Sequence, residues 1–262
     1  MGRLIQPAFR DMNDFNIFNN FFDHIYVITL HRATERQQAI QENLKGLQYE
    51  FFFGADKLHH PINGLLAEGI YDEELAKKHH RYHKALSAGQ VCCAWSHKKV
   101  YQDVLDKGYQ KVLILEDDVT ASEDFVKTAC QVIKELPTLW ELVYLDYSKN
   151  EQRDLLKKYW YHVQRFLGGL TWTHATIQNL YPKKISEHIA TAGYHDFTSA
   201  YAITASAAKK LLQLQTPISF LADNLLATAC TTKLLNGYIS RPKLFSQLSQ
   251  GSDKLTQSFV DD

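Results

Sequence analysis

Lys111-Val-Leu-Ile-Leu-Glu116-Asp117-Asp118-Val119 ends a wholly aliphatic run in three successive carboxylates. An unbroken apolar run of this length reads as a strand covered on both faces, and open α/β sheets bind ligands at the carboxyl ends of such strands. Continued as a strand, the chain sends Glu116 and Asp118 to one side and Asp117 to the other, so hard oxygen donors for Mg²⁺ or Mn²⁺ can meet a substrate's phosphate oxygens. The plainer reading is an acidic start to a helix near Ser122, where the macrodipole favours Asp and Glu.

Working outward, the 262 residues are 45% hydrophobic, enough for one large α/β domain with a substantial core. Lys plus Arg (29) equals Asp plus Glu (29), so no general nucleic-acid footprint is expected. The cysteines, Cys92-Cys93, Cys130 and Cys230, fit neither a zinc spacing nor a secreted disulfide framework and read as reduced thiols. No apolar run is long enough to span a bilayer, and the start lacks a signal-peptide core, so a cytoplasmic protein is expected.

Three segments are expected: an extension at 1–23, one domain at 24–252 and a tail at 253–262. In the extension Phe15, Phe18, Phe21 and Phe22 recur at helical spacing, which suits packing on the domain better than a membrane surface. His24 to Leu30 reads as a strand, a helix begins about Thr34 with Thr34 and Gln37 as a capping box, and Tyr49 to Phe53 closes a βαβ unit. Tyr71 to Lys84 reads as a charged helix on which His79 and His83 stand one turn apart, a solvated face rather than a metal pair. Ser87 and Gln90 cap a long amphipathic helix that Gly108 ends. Further strands are expected at Glu141–Tyr147, with Asp146 near the same sheet edge, at Phe197–Thr204 and at Gly237–Arg241. Helices are expected at about 122–136, at Ser206–Leu214 and at Ala222–Leu235. Residues 150–195 look irregular and aromatic.

Several pieces, in order, resemble glycosyltransferase family 25, the group of bacterial lipooligosaccharide galactosyl- and glucosyltransferases and collagen galactosyltransferases. They are Ile25-Tyr-Val-Ile-Thr-Leu-His-Arg32 with Arg36, Leu86-Ser-Ala-Gly89 through Ser96-His97, Leu115-Glu-Asp-Asp118, Thr198-Ser-Ala-Tyr201-Ala-Ile-Thr, Asp223, and Pro242-Lys-Leu. The resemblance covers roughly 24–252. Thr29 stands where the family usually has Asn, Gln90 where it has Glu, Cys92 where it has Gly, and Phe197 where Gly is common.

The resemblance implies an α/β, GT-A-like fold with a mostly parallel central sheet and an irregular acceptor-side insertion. It implies metal-dependent inverting transfer of galactose, or secondly glucose, from a uridine diphosphate sugar to a glycan or glycolipid acceptor, foremost lipooligosaccharide. Mn²⁺ (or Mg²⁺) would be held by Asp118 with Glu116, while Asp117, Arg32, Arg36, Ser96 and His97 would line the donor site. Without the family, Arg32 and Arg36 read as surface residues. Asp223 is the first candidate for general base and Asp196 the second; a helix cap is the plain alternative for Asp223. Trp172, Trp160 and Tyr161 are acceptor candidates, with subdomain packing as the alternative. Peripheral association with the inner face of the bacterial inner membrane goes with such an acceptor. Two other classes stay open: a haloacid-dehalogenase-like phosphoryl hydrolase, disfavoured by Glu116 where that fold needs Asp, and a non-catalytic nucleotide-sugar-binding pseudo-transferase. Adjacent carboxylates suit a cation better than glycosidase chemistry.

Overall fold

A computed structural model describes residues 15–248; the first fourteen residues and the tail expected at 253–262 lie outside the described residues. The aliphatic run is β3 (Lys111–Glu116), flanked by β1 (His24–Thr29) and then β2 (Glu50–Phe53) on one side, all parallel. On its other side follow β8 (Ala200–Thr204), β5 (Leu142–Tyr144), β9 (Gly237–Ser240), β7 (Ile189–Thr191) and β6 (Lys183–Lys184). Strands β8 and β7 run against the rest, so the eight-stranded sheet is mostly parallel, as expected. A separate antiparallel pair, β4 (Val119–Ala121) with β10 (Phe245–Gln247), follows the acidic turn and was not legible in the sequence.

Alternation along β3 shows why its run is apolar throughout. Leu113 and Leu115 enter the core on one face while Val112 and Ile114 enter the core on the other, all fully buried. Each such side chain contributes about 1.5–3 kcal/mol by leaving water. The first face is covered by α1 (Asn16–Phe21), α2 (Thr34–Asn43) and α6 (Phe125–Glu135), with Phe15 and Phe18 packed on Phe125 at 4.8 and 4.9 Å. Residues 15–23 are therefore continuous with the domain core. The second face carries α5 (Ala88–Asp106), α9 (Ala205–Leu214) and α10 (Ala222–Thr231).

Between β2 and α5 lie α3 (Ile62–Ala67) and α4 (Glu73–His79); between β5 and β6 lie α7 (Leu155–Phe166) and α8 (His174–Gln178). The segment expected to be irregular holds these two helices and the short strands β6 and β7 (Ile189–Thr191), with turns and loops over the rest. The apolar period of α7 at Leu156, Tyr159, Trp160, Val163 and Phe166 faces outward, and no residue of the helix is buried.

Local chemistry explains the smaller differences. The Ser87–Gln90 capping box is present, and Gly108, at φ +73, ends the helix in the left-handed region open to glycine. Thr34 does not cap α2: Ala33 is the N-cap, and Gln37 instead donates to the Leu30 carbonyl at 2.8 Å. The helix expected over 71–84 stops at His79, where the chain becomes extended at His80. His79 then meets Ser219 at 3.0 Å and stacks on Phe220, whereas His83 lies against the Gly168 carbonyl, so the two form no pair and no simple solvated face.

Candidate active site

The chain turns directly after Glu116, so the three acids do not alternate along one strand. The acidic helix start fails too, since α6 begins at Phe125 beyond β4, with Asp124 at its N-cap position making no side-chain cap. All three carboxylates instead line a cleft of about 500 Å³ at the carboxyl ends of β1 and β3. Arg36, Ser96, His97, Phe197 and Asp223 line the same cleft.

Each acid has a distinct setting. Asp117 is buried, accepting from the Thr29 hydroxyl at 2.7 Å and from Arg36 Nη1 at 2.9 Å. Burial raises its pKa, with the Glu116 charge adding to that and Thr29 and Arg36 opposing it. Thr29, set where the family usually has Asn, is thus a positioning group for the motif. Glu116 accepts from the Thr198 hydroxyl at 2.5 Å and lies 3.4 Å from His97 Nε2. Burial opposes its ionisation, but His97, Thr198 and Arg36 outweigh burial and hold it below the ordinary value. Behind His97 runs a buried chain, Nδ1 to the Tyr201 hydroxyl at 2.8 Å and that hydroxyl to Tyr101 at 2.9 Å. Asp118 is buried on the cleft wall, its backbone carbonyl accepting from Leu248 at 2.7 Å.

Asp223 sits in the first turn of α10, near the dipole's positive end. Burial, and secondly the charge of Asp196, push its pKa up to about 6, while backbone N–H groups of Asn224 and Phe197 pull the other way. Phe197 itself holds φ +81, a left-handed conformation that costs a bulky residue about 1–3 kcal/mol. That conformation gives a physical reason for Gly being common there in the family.

Other residues named from sequence are engaged with protein partners, in the cleft lining or beside it. Arg32 pairs with Asp56 through Nε at 2.5 Å and Nη2 at 3.3 Å, and Asp56 lines the cleft. The Ser96 hydroxyl donates to the Cys92 carbonyl at 2.8 Å and accepts from Ala55 N–H at 2.9 Å. A Cβ on Gly54 would stand 2.4 Å from that hydroxyl oxygen, so glycine is required for the close approach of β2's exit to α5. Asp196 lies outside the cleft lining, paired with Arg81 at 3.5 Å and with Lys149. Asp146 is buried against the Ser199 hydroxyl at 2.7 Å rather than at the cleft.

The aromatic candidates are also outside the cleft. Trp172 is 5% exposed, packed on Tyr194 at 4.3 Å and Tyr161 at 4.9 Å, with the Arg81 guanidinium 4.5 Å above it. It is a core residue of the subdomain formed with Leu170, Ile177 and Leu180, which is the packing alternative. Trp160 points outward on α7 and is 56% exposed. Sequence reasoning missed Asp56, Thr198, Tyr201 and Arg81; Thr198 and Tyr201 stood inside a quoted motif, but their partners are remote in sequence.

A family model described as glycosyltransferase family 25 (LPS biosynthesis protein) matches residues 22–226. The chain belongs to glycosyltransferase family 25. A glycosyltransferase 25 family member of Anopheles gambiae is 28% identical over 207 residues, covering 75% of this chain and 29% of its own length. Human procollagen galactosyltransferase 2 is 24% identical over 137 residues, 51% of this chain and 22% of its own. A bovine protein named probable inactive glycosyltransferase 25 family member 3 is 23% identical over 198 residues, 74% of this chain and 29% of its own. The chain thus spans less than a third of the curated relatives it matches. A solved structure of mannose-1-phosphate geranyltransferase from Thermus thermophilus aligns over 84% of this chain and 60% of that one, at 8% identity and a TM-score of 0.30, too low to carry an argument.

Proposed function

We propose that this family 25 chain transfers a hexose from a uridine diphosphate sugar to a glycan acceptor by a single inverting displacement. The observation that carries the proposal is that Asp223 lines the same cleft as the acidic turn. A carboxylate with a pKa of about 6 is ionised at neutral pH yet basic enough to take the proton of an acceptor hydroxyl. In the same cleft, Asp118, with Glu116 as a second oxygen, suits Mn²⁺ or Mg²⁺, since both prefer hard oxygen donors.

Among the described residues, Cys93, His97 and Glu116 are a metal-capable group whose ligand atoms lie within 4.8 Å of one another. Burial raises the Cys93 thiol well above its ordinary pKa. A bound cation supplies charge neutralisation for the departing diphosphate. Arg36 and Thr29 hold Asp117, and Thr198 and His97 hold Glu116, so the wall is fixed before substrate arrives.

Galactose is the first choice of sugar and glucose the second; the name of the human relative supports galactose. The family description, which names LPS biosynthesis, supports an acceptor of the lipopolysaccharide class, lipooligosaccharide foremost. The test is a hydrolysis screen over uridine diphosphate sugars with Mn²⁺ or chelator. Metal-dependent turnover, fastest with the galactose donor, is expected. No turnover with any nucleotide sugar, with or without acceptor, overturns the proposal in favour of a non-catalytic binder, a reading that the strained Phe197 and the name of the bovine relative keep open.

A further inference from the structure

A second donor set opens onto the cleft beside the acidic turn. Cys93 and His97 stand four residues apart on α5, so their side chains share one face of the helix, and that face meets Glu116 at the carboxyl end of β3. One ligand atom from each, Cys93 Sγ, a ring nitrogen of His97 and a carboxylate oxygen of Glu116, lies within 4.8 Å of the other two. His97 Nε2 is 3.4 Å from Glu116 Oε1. The ligands of a tetrahedral Zn²⁺, bonded at about 2.0–2.3 Å, stand about 3.3–3.6 Å apart, so this pair has the required spacing and a shift of about 1 Å brings the thiol to it. The third donor arrives from β3, which is why the cysteine spacing along the sequence does not report the set.

Two of the three donors are held in place from behind. Glu116 accepts from the Thr198 hydroxyl at 2.5 Å, and His97, 2% exposed, meets the Tyr201 hydroxyl through Nδ1 at 2.8 Å. The Tyr201 and Tyr101 hydroxyls, 2.9 Å apart, can each donate to the other, so Nδ1–H can donate to Tyr201 and leave the Nε2 lone pair turned toward Glu116. A hydrogen bond from the second ring nitrogen is what commonly orients a metal-bound histidine. In the metal-free protein, burial and then the charges of Glu116 and Asp223 raise the Cys93 thiol. A dication beside Glu116 inverts that field, and a coordinating thiol gives up its proton.

We propose that Cys93, His97 and Glu116 bind Zn²⁺, and that this ion shuts the transferase cleft by taking Glu116 from the Mn²⁺ or Mg²⁺ pair. Mixed sulfur, nitrogen and oxygen donors favour Zn²⁺, whereas the harder ions prefer oxygen alone. On binding, the Cys93 S–H bond breaks, its proton leaves to solvent and the sulfur electron pair forms the bond to Zn²⁺; nothing is oxidised or reduced. Three protein donors leave a fourth position open to the cleft for water. With Glu116 committed, Asp118 loses its partner oxygen and the charge of Zn²⁺ repels a second cation. The Zn²⁺ site stands on the geometry of α5 and β3; only the inhibition rests on the transferase reading.

The test is Zn²⁺ binding to the full chain without donor or Mn²⁺, read by competition with a chromogenic chelator, with Co²⁺ as a spectroscopic stand-in. The wild type should bind Zn²⁺ and give a thiolate-to-Co²⁺ charge-transfer absorbance. Cys93→Ala should lose that absorbance and bind Zn²⁺ at least about tenfold more weakly while keeping a cooperative melt. Cys93→Ser, which keeps the size of the side chain, replaces it if the alanine variant does not fold. Zn²⁺ should then block uridine diphosphate binding in Mn²⁺, and the variant should need at least about tenfold more Zn²⁺ for the same block, each protein compared with its own Zn²⁺-free value. Equal Zn²⁺ affinity in wild type and folded variant, or a Co²⁺ complex without the thiolate band, overturns the site. Zn²⁺ bound through Cys93 with Mn²⁺-dependent uridine diphosphate binding undiminished overturns the inhibition. Absence of any Mn²⁺ effect on uridine diphosphate would count against the transferase reading instead, because the Zn²⁺ titration is made without either.

Discussion

The acidic wall of the cleft and the aromatic flank over 155–194 are both rich in functional-looking side chains, yet they are built on opposite plans. In the wall, Asp117 is held by Thr29 and Arg36 and Glu116 by Thr198 and His97, partners from β1, α2, α5 and the entry to β8. In the flank, rings are either sealed into a local core, as Trp172 is, or turned outward, as on α7. Residue type alone does not separate a site from its scaffold; the separating feature is what each group faces after its neighbours are satisfied.

The largest effect expected is in the flank. Trp172→Ala should destabilise the fold by about 3–5 kcal/mol, as for other buried tryptophans. A thermal or urea melt checks it. A raised acceptor Michaelis constant with an unchanged melt would move Trp172 from core to binding surface.

In the cleft, Asp223→Asn should lower turnover by about a hundredfold or more while donor affinity stays within about twofold, the signature of a lost base. Single-turnover kinetics and donor titration separate the two. In the wild type, the ionised base is required, so kcat/KM should fall as pH drops through about 6. Stability should run the other way. The folded carboxyl binds its proton more tightly than the unfolded one, whose reference is 3.8, so stability falls as pH rises from about 4 to above 6. Asp223→Asn removes that cost, and the variant should be more stable at pH 7 by about 1–3 kcal/mol. A variant that is both active and less stable would contradict the assignment.

These contrasts follow what could be read from the chain. The β3 run, the βαβ start and the Ser87 cap were legible because their signals are local: period, length and capping spacing. The contribution of Glu116, Asp117, Asp118 and Asp223 to one cleft was carried by the family resemblance. The Thr29–Asp117 and Thr198–Glu116 bonds join residues 88 and 82 positions apart, which periodicity does not report. The helical period of α7, at Leu156, Tyr159, Trp160, Val163 and Phe166, stands in the sequence; what periodicity does not report is that this apolar arc faces outward, with no residue of α7 buried.

Smaller effects are expected at the supports. Thr29→Val should cost about 1–3 kcal/mol by leaving a buried Asp117 oxygen without its donor. Thr29→Asn, the residue usual in the family, keeps a donor and should change stability and turnover least. Equal losses in both variants would show that the packing of the threonine, not its hydrogen bond, is what matters.

The central claim, that the acidic turn holds a cation which in turn holds a diphosphate, is met most directly by calorimetry of uridine diphosphate binding to wild type and to Asp118→Asn, each with Mn²⁺ and with chelator. Wild-type binding should be at least about tenfold tighter with Mn²⁺, and the variant should bind equally weakly in both conditions. Equal wild-type affinity with and without Mn²⁺, or a full metal effect in Asp118→Asn, would contradict it.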